Sequence, residues 1–295
     1  MAPKKVPQVG LTRLAAAQVI LDHGVTAFPV DPIAIARACD IAVEAKPAEH
    51  NGFSGMLARV GENFGILYAT HIPSPGFQRF SVAHELGHYF LAGHVDQLLE
   101  LGAHVSRAGF VTSDPYEMEA DLFASALLLP DKLFAQELQR ASEGLDGVIE
   151  IADLAQTSLT ATAIALVQHN REATAVVQSL NGVVEFCTFS DAMKEAGVRW
   201  LRKGDLVPGG SVTDLLAKDP AAVRSGQRRF GSTRLSAWFD NGDLSESRED
   251  AVGLGPFGRV LTLITSDRIS FAADGYDDEP DEAELIESWT PRFRR

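Results

Sequence analysis

Cysteine is scarce in this chain: Cys39 and Cys187 are the only two among 295 residues. Two cysteines so far apart cannot build a disulfide framework, and they lack the short spacing of a CxxC metal or redox site. Disulfides persist in oxidising compartments and are rare in the cytosol. The sequence therefore predicts a protein of the reducing cytoplasm.

Long apolar runs and targeting signals are also missing. No stretch approaches the roughly 20 apolar residues that a helix needs to cross a bilayer. Residues 1–7 include two lysines, but no apolar segment follows them, as one would in a secretory signal. We therefore expect neither export nor a membrane partner.

Positive charge is outweighed by negative charge, since 26 lysines and arginines stand against 40 aspartates and glutamates. A net charge of −14 repels a phosphate backbone unless basic side chains are concentrated locally. This balance argues against a general nucleic-acid-binding protein. The hydrophobic fraction of 45% and the charged fraction of 22% are those of an ordinary globular protein, so the function has to be read from motifs.

The most informative motif is His84-Glu85-Leu86-Gly87-His88. On a helix, predicted here over about residues 79–92, positions four apart share one face, so both imidazoles can reach one ion. The carboxylate next to the first histidine can take a proton from water that the ion activates. Apolar residues on both sides predict a buried helix, in which unpaired histidines would be costly. The motif therefore predicts a catalytic zinc site in which His84 and His88 bind the metal and Glu85 is the general base.

A catalytic zinc site of this kind also needs a third protein ligand and one open coordination position. Glu119 is the strongest candidate, because it shares a helical stripe with the apolar residues Leu122, Phe123 and Ala126. A carboxylate on such an inward face needs a strong partner, and a metal ion would supply one. We therefore expect Glu119 as the third ligand in a gluzincin-like site with one zinc ion per chain.

Two other residues stay open as the third ligand. Glu117 follows Asp114 by three positions, which is typical of a capping box at the start of a helix and gives it a structural explanation. His94 continues the motif with the spacing of the metzincins, HExxHxxGxxH. That motif requires a glycine where this chain has Leu91, and the glycine comes two residues later, at Gly93. Both candidates therefore rank below the inward-facing carboxylate.

The length suits two or three domains, and the order of helical and strand-like segments divides the chain into three parts. Residues 1–130 combine helices with a hairpin at 54–69 and carry the motif. Residues 131–172 are helical and rich in alanine and leucine, and residues 173–295 mix strand-like runs with helices. The last domain contains an acidic run at 274–287, which is typical of a solvated, partly disordered tail.

Residues 148–167 have the pattern of helix, tight turn and helix, which also occurs in DNA-binding proteins. A version that reads DNA places lysines and arginines on or beside its second helix. Residues 131–175 contain three basic residues, Lys132, Arg140 and Arg171, against seven acidic ones. We therefore expect a structural or protein-binding role for this segment, and we do not expect DNA binding.

Two segments downstream of the zinc motif complete a longer pattern, Glu119-Ala120-Asp121-Leu122-Phe123-Ala124 and Leu127-Leu128-Leu129-Pro130. Together with the motif they resemble the ImmA/IrrE family of metallopeptidases, over about residues 50–135. The resemblance implies that the two histidines of the motif and the downstream Glu119 bind zinc, and that Glu85 is catalytic.

The same resemblance implies a fold and a biological role. An IrrE-type chain has a zincin-like metallopeptidase domain, a helical helix-turn-helix-like domain and a mixed α/β, GAF-like C-terminal domain, so the expected class is α+β. Members of the family cleave helix-turn-helix repressors and so switch on stress-response or mobile-element genes, which makes such a repressor the expected substrate and partner. The alternatives are a non-catalytic zinc regulator that inactivates a repressor by binding, and a DNA-binding regulator.

Two further features are expected around a reacting peptide. An edge strand of the 54–69 hairpin could pair with an extended substrate by β-augmentation. A side chain that stabilises the oxyanion should lie near the reacting carbonyl group. The candidates are Tyr68, His71, His104 and Tyr116, and the sequence does not rank them.

Overall fold

The computed structural model describes most of the chain. The described residues are 6–47, 53–72, 74–98, 103–106, 114–170, 172–242, 244 and 246–266. They divide into two compact units. The first contains the described residues up to 136 together with residues 152–158, and the second contains residues 137–151 and the described residues from 159 onward. The predicted acidic tail, 274–287, lies outside the described residues.

The first unit combines helices with a four-stranded sheet. Its elements in chain order are α1 (Val9–Asp22), α2 (Pro32–Ala38), β1 (Ala42–Lys46), β2 (Gly55–Val60), β3 (Asn63–Ala69), α3 (Pro75–Phe90), α4 (His94–Leu98), β4 (Ala103–Ser106), α5 (Pro115–Leu128) and α6 (Asp131–Leu138). The strand order is β1-β3-β2-β4, with β1 parallel to β3 and β2 antiparallel to both of its neighbours. α3 packs against β2, β3 and α5. The core of this unit includes the fully buried Leu57, Ile66, Leu86 and Phe123.

The two helices that carry the predicted site residues begin at capping sequences. Ser74 accepts a hydrogen bond from a backbone N–H in the first turn of α3, and Pro75 occupies that turn. Asp114 and Pro115 do the same for α5, as the sequence predicts. Proline is suited to this position because its missing N–H would have no partner within the helix. The helix predicted at 79–92 is confirmed as α3, although it starts one turn earlier because of this cap.

The predicted hairpin at 54–69 is confirmed as β2 and β3. Gly61 lies in its turn with a φ of +64°, a conformation that favours glycine. Neither strand lies at an edge of the sheet, because β1 pairs with β3 and β4 pairs with β2. The expectation of an edge strand in this hairpin is therefore wrong. Among the described strands, β1 and β4 form the edges of this sheet.

The second unit contains a five-stranded antiparallel sheet. The remaining elements of the chain are α7 (Gly144–Ala155), α8 (Leu159–His169), β5 (Ala173–Leu180), β6 (Val183–Phe189), α9 (Asp191–Glu195), α10 (Val212–Ala217), α11 (Pro220–Arg224), β7 (Arg228–Arg234), α12 (Leu235–Trp238), β8 (Glu246–Gly253) and β9 (Arg259–Ser266). The strand order is β6-β5-β9-β8-β7. The central strands β5 and β9 are buried along most of their length, because helices such as α8 and α10 pack against this sheet.

The helical segment 131–172 does not form a third unit, in contrast to the predicted domain organisation. The boundary between the two units falls within α6 and within α7, so parts of this segment belong to each unit. Helices as short as these gain most of their stability from packing against larger neighbours. The predicted succession of helix, turn and helix is present as α7 and α8.

The mixture of helices and sheets in both units confirms the predicted α+β class. The GAF-like character of the C-terminal part stays a prediction. Among the described helices, none combines the length and the apolar character that crossing a membrane requires.

Candidate metal centre

α3 places the two histidines of the motif side by side. His84 and His88 are four residues apart, and 6% and 1% of their surfaces are exposed. Their rings meet edge to face with centroids 4.8 Å apart, and their Nε2 atoms are 3.0 Å apart. Both imidazoles therefore direct the same ring nitrogen towards one point.

The other ring nitrogen of each histidine, Nδ1, contacts a second polar side chain. Nδ1 of His84 donates a hydrogen bond to Oδ1 of Asp121 over 2.7 Å, since an ionised carboxylate can only accept. Nδ1 of His88 lies 3.0 Å from Nδ1 of His94. A neutral imidazole with its proton on Nδ1 has a lone pair on Nε2. The two Nε2 atoms are therefore oriented to act as metal ligands.

Glu117 on α5 completes a group of three potential ligands. Its Oε2 lies 3.4 Å from Nε2 of His84, and its Oε1 lies 3.4 Å from Nε2 of His88. The ligand atoms of the three residues all lie within 4.8 Å of one another. Ligands placed tetrahedrally about 2.0 to 2.1 Å from a zinc ion are about 3.3 Å apart. The observed spacing therefore suits three corners of a zinc tetrahedron.

The structure does not bring Glu119, the predicted third ligand, into this group. Its Oε2 lies 2.9 Å from Nε2 of His94, and its Oε1 accepts a hydrogen bond from the backbone N–H of Gln8 over 2.7 Å. Glu119 does face inwards, as its apolar stripe predicts, and is 4% exposed. Two positions along a helix turn a side chain by about 200°, so Glu117 and Glu119 leave α5 in nearly opposite directions. The carboxylate beside the ligand histidines is therefore Glu117, the lower-ranked candidate.

A sequence signal for this arrangement exists. Glu117 and Asp121 are four residues apart, as His84 and His88 are, so one face of α5 carries both carboxylates. One of them meets the Nε2 atoms, and the other meets Nδ1 of the first histidine. Interpreting Glu117 as a capping residue hid this pairing. Asp114 caps α5 as predicted, whereas the carboxylate of Glu117 faces the imidazoles of α3.

α3 and α5 approach each other closely at the motif. A Cβ atom added to Gly87 would lie 3.0 Å from Cα of Ala120, which is closer than such atoms normally come. The missing side chain at Gly87 lets α5 come near enough for its carboxylates to reach the imidazoles of α3. The glycine within the motif therefore has a packing role in building the site.

Glu85 lies beside the first histidine and is completely buried. Neither of its carboxylate oxygens has a hydrogen-bond partner among the described residues. Burial raises the pKa of Glu85 to about 7, against the opposing charge of His84. The hydroxyl of Ser106 also lowers this pKa, but it stands outside normal hydrogen-bond geometry. A buried carboxylate without a partner is costly, and one with a pKa near neutrality is suited to move a proton.

A glycine on β2 makes room for that carboxylate. A Cβ atom at Gly55 would overlap Oε1 of Glu85. β2 holds Gly55 in place by pairing it with Tyr68 of β3 on one side and Ser106 of β4 on the other. The sheet therefore forms a close wall beside Glu85, and any side chain at position 55 would displace it.

The charges of the ligand group depend on one another. Burial lowers the pKa of His88 to about 3. Burial also lowers the pKa of His84, but hydrogen bonds with Asp121 and Glu117 outweigh it and raise that pKa well above its usual value. Burial raises the pKa of Glu117, yet hydrogen bonds with His104, His84 and His88 hold it well below its usual range. Without metal, the imidazoles and Glu117 therefore retain a proton that a cation would displace.

His104 on β4 is the candidate for oxyanion stabilisation that the structure places at the ligand group. Its Nε2 lies 2.7 Å from Oε1 of Glu117, and its ring packs edge to face against the second ligand histidine. The other candidates lie in different surroundings: Tyr116 packs against a histidine outside the ligand group, Tyr68 packs against the hydrophobic core, and His71 is exposed. His104 therefore stands out among the four.

The donor set fits a zinc-like divalent cation. Two imidazole nitrogens and one carboxylate oxygen are the protein ligands of a well-known class of catalytic zinc site. The lone pairs on Nε2 of His84 and His88, at 3.0 Å, would repel each other unless a proton or a cation lay between them. Glu117 adds the negative charge that favours the cation. The residues present are therefore suited to hold a metal ion.

Comparison with known proteins places this site in a described domain. Residues 38–166 match the IrrE N-terminal-like domain, Peptidase_M78. The chain is 31% identical to the radiation response metalloprotease IrrE of Deinococcus radiodurans over 103 residues, which cover 35% of this chain and 31% of that protein. It is 41% identical to the metallopeptidase ImmA of Bacillus subtilis over 61 residues, which cover 21% of this chain and 33% of that protein. The matches therefore span about a third of the length of these curated relatives.

A solved structure described as a Mycobacterium tuberculosis transcriptional regulator has a similar fold. The alignment covers 87% of this chain and 76% of that chain, with a TM-score of 0.54 and 14% sequence identity. At such low identity the likeness concerns the fold alone.

The matched region contains the whole candidate site, from Glu85 and its two neighbouring histidines to Glu117 on α5. The resemblance drawn from the sequence motifs is therefore confirmed. Residues 38–166 are an IrrE N-terminal-like domain.

Proposed function

We propose that this chain is a zinc-dependent endopeptidase that cleaves a peptide bond in another protein. The proposal rests on one observation: His84, His88 and Glu117 form a metal-binding group, and the buried carboxylate of Glu85 lies beside it without a partner among the described residues. Two relatives are named as metalloproteases, which supports the same chemistry here.

The zinc ion would be held by His84, His88 and Glu117, so Glu117 takes the place that the sequence prediction gave to Glu119. When bound, the cation supplies Lewis acidity, which lowers the pKa of a water molecule and polarises the carbonyl group of the scissile bond. Asp121 holds the first histidine so that its Nε2 faces the metal position.

Glu85 carries the protons of the reaction. It accepts a proton from the attacking water and passes it to the nitrogen of the departing amine. Both transfers suit a buried carboxylate whose pKa is raised to about 7. His104 transfers its Nε2–H hydrogen bond from Glu117 to the negative charge that develops on the carbonyl oxygen.

The substrate binds as an extended strand beside β4. This strand is an edge of the described sheet, and its His104 and Ser106 alternate with the exposed Ala103 and Val105. A peptide added to a sheet edge gains backbone hydrogen bonds and is held extended. In this position its backbone would run past His104 and so past the ligand group. By analogy with the family, the substrate is a helix-turn-helix repressor whose cleavage derepresses its target genes.

The alternative functions are less well supported. A structural zinc site has no use for a buried carboxylate of raised pKa beside the ligands. A DNA-reading role requires basic residues on the second helix of the α7–α8 pair, and α8 carries no lysine or arginine. The cytoplasmic location stays a prediction.

The test is to incubate the zinc-loaded chain with candidate helix-turn-helix repressors, starting with any that a neighbouring gene encodes. We expect one discrete cleavage with wild-type protein and with the control Glu44→Gln, an exposed position on β1. Glu85→Gln should bind one zinc ion per chain and leave the repressor intact. Cleavage by Glu85→Gln preparations at the wild-type rate, with zinc bound, would refute the mechanism.

A further inference from the structure

A chain of three buried polar side chains runs away from the ligand group behind His88. Nδ1 of His88 lies 3.0 Å from Nδ1 of His94, and Nε2 of His94 lies 2.9 Å from Oε2 of Glu119. The exposed fractions are 1% for His88, 0% for His94 and 4% for Glu119. The second oxygen of Glu119 accepts the backbone N–H of Gln8. None of these contacts involves the metal position itself.

With His94 neutral, the hydrogen-bonding rules of these groups fix where each proton lies. A carboxylate accepts, so the bond between Glu119 and His94 carries the proton of Nε2 of His94. A neutral imidazole has a single N–H, which leaves Nδ1 of His94 as an acceptor. The contact between the two Nδ1 atoms then requires His88 to be the donor. Nε2 of His88 is thereby left with the lone pair that a metal ligand needs.

The two ligand histidines are therefore supported in different ways. His84 donates directly to the carboxylate of Asp121. His88 reaches a carboxylate only through an intervening imidazole, that of His94. Removing His94 would leave the buried N–H of His88 without its acceptor, and a buried donor without a partner is costly.

We propose that His94 and Glu119 are positioning residues that hold His88 in the ring orientation and tautomer required for metal binding. The proposal rests on the proposed function in one respect, since it takes His88 as a metal ligand. It gives a role to the two residues that the sequence marked as possible ligands and that the structure places outside the ligand group. The hydrogen bond from Gln8 to Glu119 holds the last member of this hydrogen-bonded series near the start of α1.

The proposal predicts a graded loss of zinc affinity, because partners of metal ligands typically contribute about 10-fold to 100-fold. His94→Phe keeps a ring but removes the acceptor, so its zinc dissociation constant should rise by about that factor. His94→Gln can accept from His88 and donate to Glu119, so it should recover much of the affinity. Glu119→Ala should weaken zinc binding as well. Combining it with His94→Phe should add little, because both changes interrupt the same series of hydrogen bonds.

The affinities are measured by competition with a chromophoric zinc chelator, using Met118→Leu as a packing control on the same helix. Nitrogen-15 NMR of the histidine rings supplies a second readout that a purely structural role would not change. Wild-type protein should show His88 protonated on Nδ1, and His94→Phe should show a mixture of tautomers. If His94→Phe does not fold, Glu119→Gln takes its place. The amide of this variant has one oxygen, so it can no longer accept hydrogen bonds from both Gln8 and His94 through separate oxygens.

An unchanged zinc affinity together with an unchanged His88 tautomer in the folded variants would overturn the proposal. The measurements do not use cleavage, so they are independent of the peptidase assay. If the variants lost zinc affinity as predicted but the wild-type protein cleaved no substrate, the proposed function would be contradicted and the positioning role would stand. Wild-type zinc affinity in His88→Ala would remove His88 from the ligand set and overturn the positioning role.

Discussion

Glu85 combines complete burial with an ionisable group that the described residues leave without a hydrogen bond. Since burial raises its pKa from 4.5 to about 7, the folded metal-free protein holds a proton that the unfolded chain releases at lower pH. The contribution of the Glu85 proton to the free energy of unfolding is therefore fully present below pH 4.5 and is lost as the pH rises to about 7.

We predict that the free energy of unfolding of the metal-free protein falls by about 3 kcal/mol over this range through Glu85 alone. Other groups titrate in the same range, so the contribution is isolated as the difference between wild-type protein and Glu85→Gln. Urea unfolding at a series of pH values measures it. Parallel pH profiles for the two proteins would show that Glu85 ionises normally.

His104 is predicted to act on the carbonyl oxygen of the substrate. His104→Phe removes the donor beside Glu117, so kcat should fall by about 100-fold to 1,000-fold while KM changes little. His71→Phe is the matched control, since His71 is exposed and should be dispensable. Steady-state kinetics on a cleavable peptide separate the two constants. If kcat fell for His71→Phe and not for His104→Phe, the assignment of this role to His104 would be wrong.

Gly55 is predicted to be required for the placement of Glu85. A methyl group at this position would overlap Oε1 of Glu85, and a displacement of about 1 Å in a catalytic group can cost about 100-fold in rate. Gly55→Ala should therefore lower kcat strongly while the zinc content stays at one ion per chain. Gly65→Ala on β3 is the control, because a Cβ there would make an ordinary 3.7 Å contact with the backbone of Ala42. Equal rates for both variants would contradict this explanation.

At the scale of the elements, the site depends on how closely α3 and α5 pack. Gly87→Val should destabilise the protein by about 1 to 3 kcal/mol and weaken zinc binding, because the added carbons meet the backbone of Ala120. Gly10→Ala in α1 is the matched helix control, since no atom lies within 4 Å of the added Cβ. Denaturant unfolding and chelator competition measure the two effects. A stable Gly87→Val with wild-type zinc affinity would show that the close approach is dispensable.

The elements themselves could largely be predicted from local sequence. The caps at Ser74 and Asp114, the turn at Gly61 and the spacing of the two motif histidines act within a few residues, and the resulting elements are those expected. The edge of the first sheet could not be predicted in this way. It depends on the pairing of β2 with β4, which are separated by more than 40 residues in the sequence.

At the scale of the whole molecule, zinc should stabilise one of the two units. All ligands belong to the first unit, so binding to its folded form favours that form by mass action. Free zinc at about 100 times its dissociation constant should add about 2.7 kcal/mol. Hydrogen exchange should show greater protection in the first unit and little change in β5–β9 of the second. Equal protection of both units, or an unchanged first unit, would contradict this prediction, and His88→Ala serves as the control.

The domain organisation shows where local patterns cease to be informative. The helical composition of residues 131–172 predicts helices correctly, and α7 and α8 are present. It cannot predict that the boundary between the units falls inside that segment. Composition reports which residues favour a helix, whereas the partner of each helix is decided by apolar surfaces far away in the sequence.

The sequence by itself determined the α3 part of the candidate site, because two histidines and a glutamate within five positions of one helix share a geometry that no long-range contact has to supply. Only the tertiary structure decided which carboxylate meets those histidines. Glu117 and Glu119 are both plausible on α5 taken alone, and the choice depends on which face of α5 is pressed against α3 and which is directed to His94 and α1. That orientation results from the packing of whole helices, so it could not be read from the spacing of residues along either one.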